Sequence, residues 1–140
     1  MTTYNLEFEG FYRDAIKASL PAYSGLYFVY RGLRLKNEKG FYYCKLKELI
    51  YIGQAKNVNE RVNEQRDDYP DWQGSLENDE ILYFAVCKVD EDALDDVEAA
   101  CIYHAKPRFN KVNAQSYNGS SIHISSKGSI NLFDKDFSIS

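Results

Sequence analysis

Four side chains of this sequence, Tyr27, Tyr51, Arg61 and Glu98, are of types that could do chemistry together. On a helix, Glu98 has Leu94, Asp95, Cys101 and Ile102 one turn away. With Val97 and Ala105, the apolar members form an arc, and Glu98 falls inside it. A carboxylate there must lose water or find a partner, because an unpaired buried charge is too costly to persist. Glu98 therefore calls for a metal ion, an arginine or a cleft open to solvent, and a buried salt bridge is the structural alternative. Arg61 belongs to the opening turns of a helix, where the dipole disfavours a cation by roughly 0.3–1 kcal/mol but attracts phosphate. A bound anion would explain it, and so would a surface pair with Glu60 or Glu64. Tyr27 and Tyr51 lie on strands beside Gly25 and Gly53, and glycine there permits close approach by a ligand or another chain. Core packing is the alternative for either tyrosine.

The elements that must position these residues follow from periodicity. Gly25–Tyr30 and Leu49–Ile52 are dense in β-formers and predict buried strands. Between them, Leu33, Leu35, Phe41 and Tyr43 alternate partly with basic residues around a turn at Asn37–Gly40, which predicts a basic hairpin. Asn57, with Glu60 three residues on, predicts a capped helix running toward Asp67 and ended by Tyr69-Pro70. Glu80–Val89 predicts a third strand. Asp90 predicts the cap of a helix reaching about His104 and stopping before Pro107. Upstream, the spacing of Phe8, Phe11, Tyr12, Ala15 and Ile16 predicts an amphipathic helix within residues 1–23. Downstream, Ile122–Ile124 and Ile130–Leu132 flank Lys127-Gly128 and predict a short hairpin in the extension 111–140. The expected architecture is α+β in a single domain. A small, mainly antiparallel sheet of about three core strands is flanked by helices, with a basic hairpin and a C-terminal β extension added.

Composition bounds the function. The chain has 140 residues and is 44% hydrophobic, enough for one core of ordinary size. No apolar run reaches membrane-spanning length, and Met1–Gly10 lacks the basic-then-apolar pattern of a signal peptide, so a soluble, cytoplasmic protein is expected. Cys44, Cys87 and Cys101 show no spacing suited to zinc or a disulfide framework. The net charge of −4 argues against a nucleic-acid partner, but its distribution is uneven. Acids dominate from Glu64 to Glu98, opposed only by Arg66 and Lys88. Arg31, Arg34, Lys36, Lys39, Lys45 and Lys47 cluster in the hairpin, and Lys106 and Arg108 follow the last helix. These basic stretches could form one positive face, with Lys56 near the second strand's end. His104 reads as a helix-end cation and His123 as a strand residue.

Together these residues resemble the GIY-YIG nucleases. Gly25-Leu26-Tyr27 is similar to the first motif with Leu for Ile, and Tyr51-Ile52-Gly53 is the second motif as written. Arg61 early on the next helix, Glu98 on a later one and Pro107-Arg108-Phe109-Asn110 resemble the remaining elements in order. The resemblance covers about Ser24–Asn110. It implies a metal-dependent endonuclease in which Tyr27 acts as general base or orients the attacking water, and Tyr51 supports that network. Arg61 would grip the phosphate, and Glu98 would hold one Mg²⁺ or Mn²⁺ ion. Gly53, Gln65 and Asn110 would support the site. DNA is the leading partner and RNA the other polymer to test, with the chain acting as monomer or homodimer. Gln65 stands where many members have His, and Gln cannot shuttle protons. A nucleic-acid-binding module with weak or lost catalysis is the alternative function.

Overall fold

A computed structural model describes residues Met1–Ser140. The chain is α+β. Six strands form one mixed sheet: β1 (Thr2–Arg13), β2 (Gly25–Lys36), β3 (Tyr42–Ala55), β4 (Glu80–Lys88), β5 (Ile122–Gly128) and β6 (Asp136–Ile139). Their spatial order is β3-β2-β4-β1-β5-β6. All neighbours are antiparallel except β1 and β5, which pair in parallel from Thr2↔Ile122 to Phe8↔Gly128. The helices are α1 (Val58–Asn63), α2 (Tyr69–Gly74) and α3 (Leu94–Ala105). No helix is long and apolar enough to cross a membrane.

The central strands β2 and β4 are buried on both faces, which is why they read as unbroken apolar runs rather than alternating ones. One face carries Leu26, Phe28, Tyr30, Ile52, Ala85 and Cys87 and packs against Leu94, Val97, Ala100 and Cys101 of α3. The other carries Tyr27, Val29, Ile50, Phe84 and Val86 against Val58 and Val62 of α1 and Trp72 of α2.

The sheet has six strands where about three core strands were expected, and several local expectations fail as well. The predicted N-terminal helix is strand β1, which Asp14–Ser19 continues as a 3-10 turn. Leu6 and Phe8 are buried while Asn5, Glu7 and Glu9 are exposed, a period of two that β4 and β5 stabilise by pairing on both sides. Gly10 also weakens a helix at that point. The helix opened by Asn57 does carry its cap, with the Asn57 side chain accepting from the Glu60 N–H, but it ends at Asn63. Asp67 and Asp68 would oppose the negative end of a longer helix. Tyr69-Pro70 then starts α2 instead of ending α1, since proline is well suited to a first helical turn. In the extension, β5 does form a hairpin, but with Asp136–Ile139; Ile130–Leu132 is not a strand. Asp90 makes no side-chain cap, and α3 is led in by a 3-10 turn at Glu91–Ala93. α3 ends as expected, one residue before a left-handed Lys106 and Pro107.

Candidate active site

The site forms at the β3 edge of the sheet. Tyr27 on β2 lies opposite Gly53 on β3, and Tyr51 lies opposite Val29. The two phenol rings are 6.1 Å apart. A Cβ on Gly53 would sit 2.2 Å from the Tyr27 ring, so glycine is required for that ring to lie across β3. Likewise a Cβ on Gly25 would meet the Cys87 carbonyl oxygen at 1.9 Å, so this glycine admits β4. The close approaches that both glycines permit are made by the protein itself.

Tyr27 is almost wholly buried, and its hydroxyl accepts a hydrogen bond from Arg66 Nη1 at 2.5 Å. Arg66 in turn grips Asp68 with Nε and Nη2 at 2.7 and 2.6 Å. Its guanidinium lies 4.8 Å from the Trp72 ring. This arginine was not singled out from the sequence, where it read as a lone cation in an acidic run. The signal was its neighbour Asp68 two positions on, and only the end of α1 at Asn63 turns Arg66 inward. Burial raises the Tyr27 pKa above that of a free phenol, and the charge and hydrogen bond of Arg66 oppose the rise without cancelling it. Tyr27 is thus a neutral phenol at neutral pH. Tyr51 is also raised, by burial first, with Arg66 opposing and Asp68 and Glu98 adding to the rise.

Glu98 stands on α3 at the border of its apolar face, half-buried. It makes no ion pair. Its Oε1 accepts from Gln54 Nε2 at 3.1 Å, and the same amide donates to Asp95 at 2.9 Å. Burial raises the Glu98 pKa, the Gln54 hydrogen bond opposes this, and the Asp95 charge adds to it. The salt-bridge alternative for Glu98 therefore fails, and the carboxylate opens onto a cleft. That cleft, of about 310 Å³, is lined by Tyr51, Asp68, Glu98, Phe109, Asn110 and Lys111 among others. Asn110 is a latch: its side chain accepts from the Ile52 N–H and donates to the Ile52 carbonyl, both at 2.9 Å. It fixes β3 beside Tyr51.

Arg61 borders an adjoining cleft of about 300 Å³ with Gln65, Arg66, Asp67 and Asp68. Asp68 borders both clefts. Arg61 falls in the last turn of the six-residue α1, where the dipole favours a cation, so the expected helix-start argument for an anion does not hold; the side chain is exposed and pairs with Glu64, the surface pairing weighed from the sequence. Such a pair is worth about 0–1 kcal/mol and is easily exchanged for another anion. The Arg66–Asp68 pair, with the arginine side chain only 2% exposed, is costly to break. Arg61 is therefore the guanidinium available to a ligand. Tyr27 borders neither cleft.

Glu98 fits a hard cation that keeps most of its waters, because it is a carboxylate in no ion pair, with Lys111 elsewhere on the wall of the same cleft. No group of three or more His, Cys, Asp or Glu residues stands ready to enclose an ion. His104 is held by Asp134 at 2.7 Å and stacks on Phe137, and His123 is held by Asp136 at 2.8 Å.

The expected single positive face does not form. Arg31 is bound to Glu48, Glu77 and Glu80, and Arg108 to the same Glu48. Lys106 donates to the Ala114 carbonyl at 2.5 Å. All three are nucleic-acid contacts by the sequence pattern, but acids from distant segments have claimed two of them. Arg34, Lys36, Lys39, Lys45 and Lys47 form no ion pairs, and Lys56 lies beside Arg61. The largest cleft, about 520 Å³, lies away from the phenols, between the end of α3 and the loop at Leu132–Asp134. Its Arg108, Glu48, His104 and Asp134 satisfy one another. No family model, curated protein or solved structure matches this chain, so the site is interpreted from its own geometry.

Proposed function

We propose that the chain is a metal-dependent endonuclease of the GIY-YIG type that hydrolyses phosphodiester bonds in DNA. The observation that carries this reading is the convergence of distant residues at one sheet edge. Tyr51, Glu98 and Asn110 border a single cleft, the Tyr27 ring adjoins Tyr51, and Arg61 faces the neighbouring cleft across Asp68. A purely structural role explains Asn110 and Arg66 but leaves an unpaired, desolvated Glu98 unexplained.

In this reading Arg61 leaves Glu64 and grips a phosphate, for which its planar fork is suited. Glu98 would hold one Mg²⁺ or Mn²⁺ ion, and Gln54 keeps the carboxylate aimed at the cleft. A bound ion would supply Lewis-acid stabilisation of charge on the phosphate and the leaving oxygen. Tyr51, on the cleft wall, orients water or a phosphate oxygen. Tyr27, neutral and behind Arg66, acts by bracing that guanidinium and not as a general base. Gln65 can hydrogen-bond to substrate from the Arg61 side but cannot carry a proton.

Incubating the protein with supercoiled plasmid, branched DNA and RNA, with Mg²⁺, Mn²⁺ or EDTA, tests the proposal. Nicking that needs metal and disappears in Glu98→Ala and Arg61→Ala is the expected result. The enclosure of Tyr27 favours a second reading, a binding module on the same fold with weak or lost catalysis. Binding without cleavage under every metal would select it and sink the first.

A further inference from the structure

We infer that the tip of the β2–β3 hairpin is a stacking platform for unpaired bases, which makes the substrate class single-stranded or locally opened nucleic acid. This deepens the nuclease reading and rests on it for the identity of the substrate polymer.

The hairpin outruns the sheet. β2 pairs with β4 only from Gly25↔Lys88 to Leu33↔Glu80, whereas its pairing with β3 continues to Lys36↔Tyr42. Arg34–Lys36 and Tyr42–Cys44 are thus a two-stranded ribbon beyond the edge of β4. At its end Phe41, Tyr42 and Tyr43 are 67%, 56% and 51% exposed. The other exposed large apolar side chains, Met1, Ile16, Val112 and Leu132, are separate in sequence. Tyr42 lies on the face of Arg34 and Lys36 and Tyr43, opposite Leu35, on the other, so exposed aromatic surface flanks both sides of the ribbon.

The charges around these rings identify the partner. From Arg34 to Lys47 the cations are Arg34, Lys36, Lys39, Lys45 and Lys47, opposed in sequence by Glu38 and joined to no acid. In a chain of net charge −4, this is where an anionic polymer finds its complement. Arg34 lies 3.7 Å from the Tyr42 ring centroid and Lys36 lies 5.5 Å from it. Cations and rings therefore sit side by side, as a strand of alternating phosphate and base requires. Arg34 and Lys36 share a face at about 6.7 Å along the strand, close to the step between phosphates of an extended single strand. Below the tip, Phe11, Arg13, Arg34, Tyr42, Tyr43 and Tyr83 border a recess of about 190 Å³. A duplex hides its base faces and offers edges. The exposed rings of the tip can stack only on bases that are unpaired.

The test is fluorescence anisotropy in EDTA, using full-length protein with Glu98→Gln to prevent cleavage. A labelled mixed-sequence single strand is compared with its matching duplex. The single strand is expected to bind about tenfold tighter. Replacing Phe41, Tyr42 and Tyr43 together by Ala should weaken single-strand binding about 10- to 100-fold, and Tyr43→Phe should retain it. Lys36→Gln and Lys45→Gln should each lower the salt slope by roughly 0.7, whereas the aromatic variants leave it unchanged. Parental affinity in the triple-Ala variant, equal binding of duplex, or a preference for anionic vesicles lost on the same substitutions would overturn the platform. Tyr42 stands about 30 Å along β3 from Tyr51 at strand spacing, so the two sites can fail separately. Cleavage retained in the otherwise wild-type chain alongside failed single-strand binding rejects the platform alone. Binding retained with no cleavage rejects the nuclease and leaves the platform.

Discussion

Two arginines, Arg31 half-buried and Arg66 buried, sit against the same sheet and have opposite surroundings. Arg31 is held by Glu48 at 2.9 Å and by Glu77 and Glu80 at 2.8 Å, and Arg108 adds a second cation to Glu48. Three acids there share two guanidiniums, and neither guanidinium is left to act on a ligand. Arg66 is held by Asp68 and Tyr27, but the cleft beside it contains Glu98, an acid in no ion pair, and the adjoining cleft offers Arg61, a cation with only a surface partner. Stability is served where charges close on themselves, and chemistry is possible where a desolvated charge has been left over.

Removing the centre of the closed cluster should have the largest effect on folding. Arg31→Met leaves Glu80, whose side chain is 3% exposed, without its cation, and should cost about 3–5 kcal/mol, read as a lower midpoint in chemical denaturation. Nicking per folded molecule should be unchanged; a selective loss of activity would erase the contrast. Glu98→Gln should do the reverse. Nicking should fall by about 10²–10³ while the protein unfolds at no lower denaturant concentration at neutral pH. Arg66→Lys sharpens the comparison from the other side. It keeps the charge but loses the fork to Asp68, and cleavage should drop roughly 10- to 100-fold in a plasmid assay. Asn110→Ala removes both hydrogen bonds to Ile52 and should destabilise by about 1–3 kcal/mol, with activity falling only as β3 shifts.

The smallest effects are in pH dependence, and they have opposite signs. Burial alone would raise Glu48 and Glu80, but hydrogen bonds outweigh it and hold both below the usual carboxylate range. Arg108 and Arg31 supply them for Glu48, and the Glu77 N–H and Arg31 for Glu80. Their stabilisation is present above the ordinary glutamate pKa and is lost as pH falls through the lowered folded values. Glu98 is raised, so its ionisation opposes folding. That penalty is absent below the ordinary glutamate pKa and complete once pH has risen through the raised folded value. Denaturation midpoints across the acid range should therefore fall less steeply in Arg31→Met than in the parent. Glu98→Gln should gain on the parent as pH rises. Parallel curves for all three proteins would mean that the two regions do not differ electrostatically.

Much of the site could be read in the sequence, because strong local patterns carry it. The apolar runs around Tyr27 and Tyr51 predict central strands, and Glu98 within an apolar helical arc predicts a carboxylate in need of a partner. Arg66 could not be read this way. Its burial depends on where α1 stops and on a Tyr27 hydroxyl 39 positions away in sequence. Arg31 and Arg108 were misread for the same reason, since Glu48, Glu77 and Glu80 reach them only when β2, β3 and β4 align. Strand β1 was missed because apolar residues at helical spacing also suit a strand once Leu6 and Phe8 are counted with their exposed neighbours.

Residue order by itself determined the α+β class, the strands that carry both phenols, the Asn57 cap and the end of α3, since each depends on neighbours within a few positions. Tertiary structure alone decided which charges are spent and which remain. It joined Arg31 to three acids, enclosed Tyr27 behind Arg66 and left Glu98 with an amide for company. Coulomb attraction and desolvation depend on distance in space, and chain order does not specify that distance.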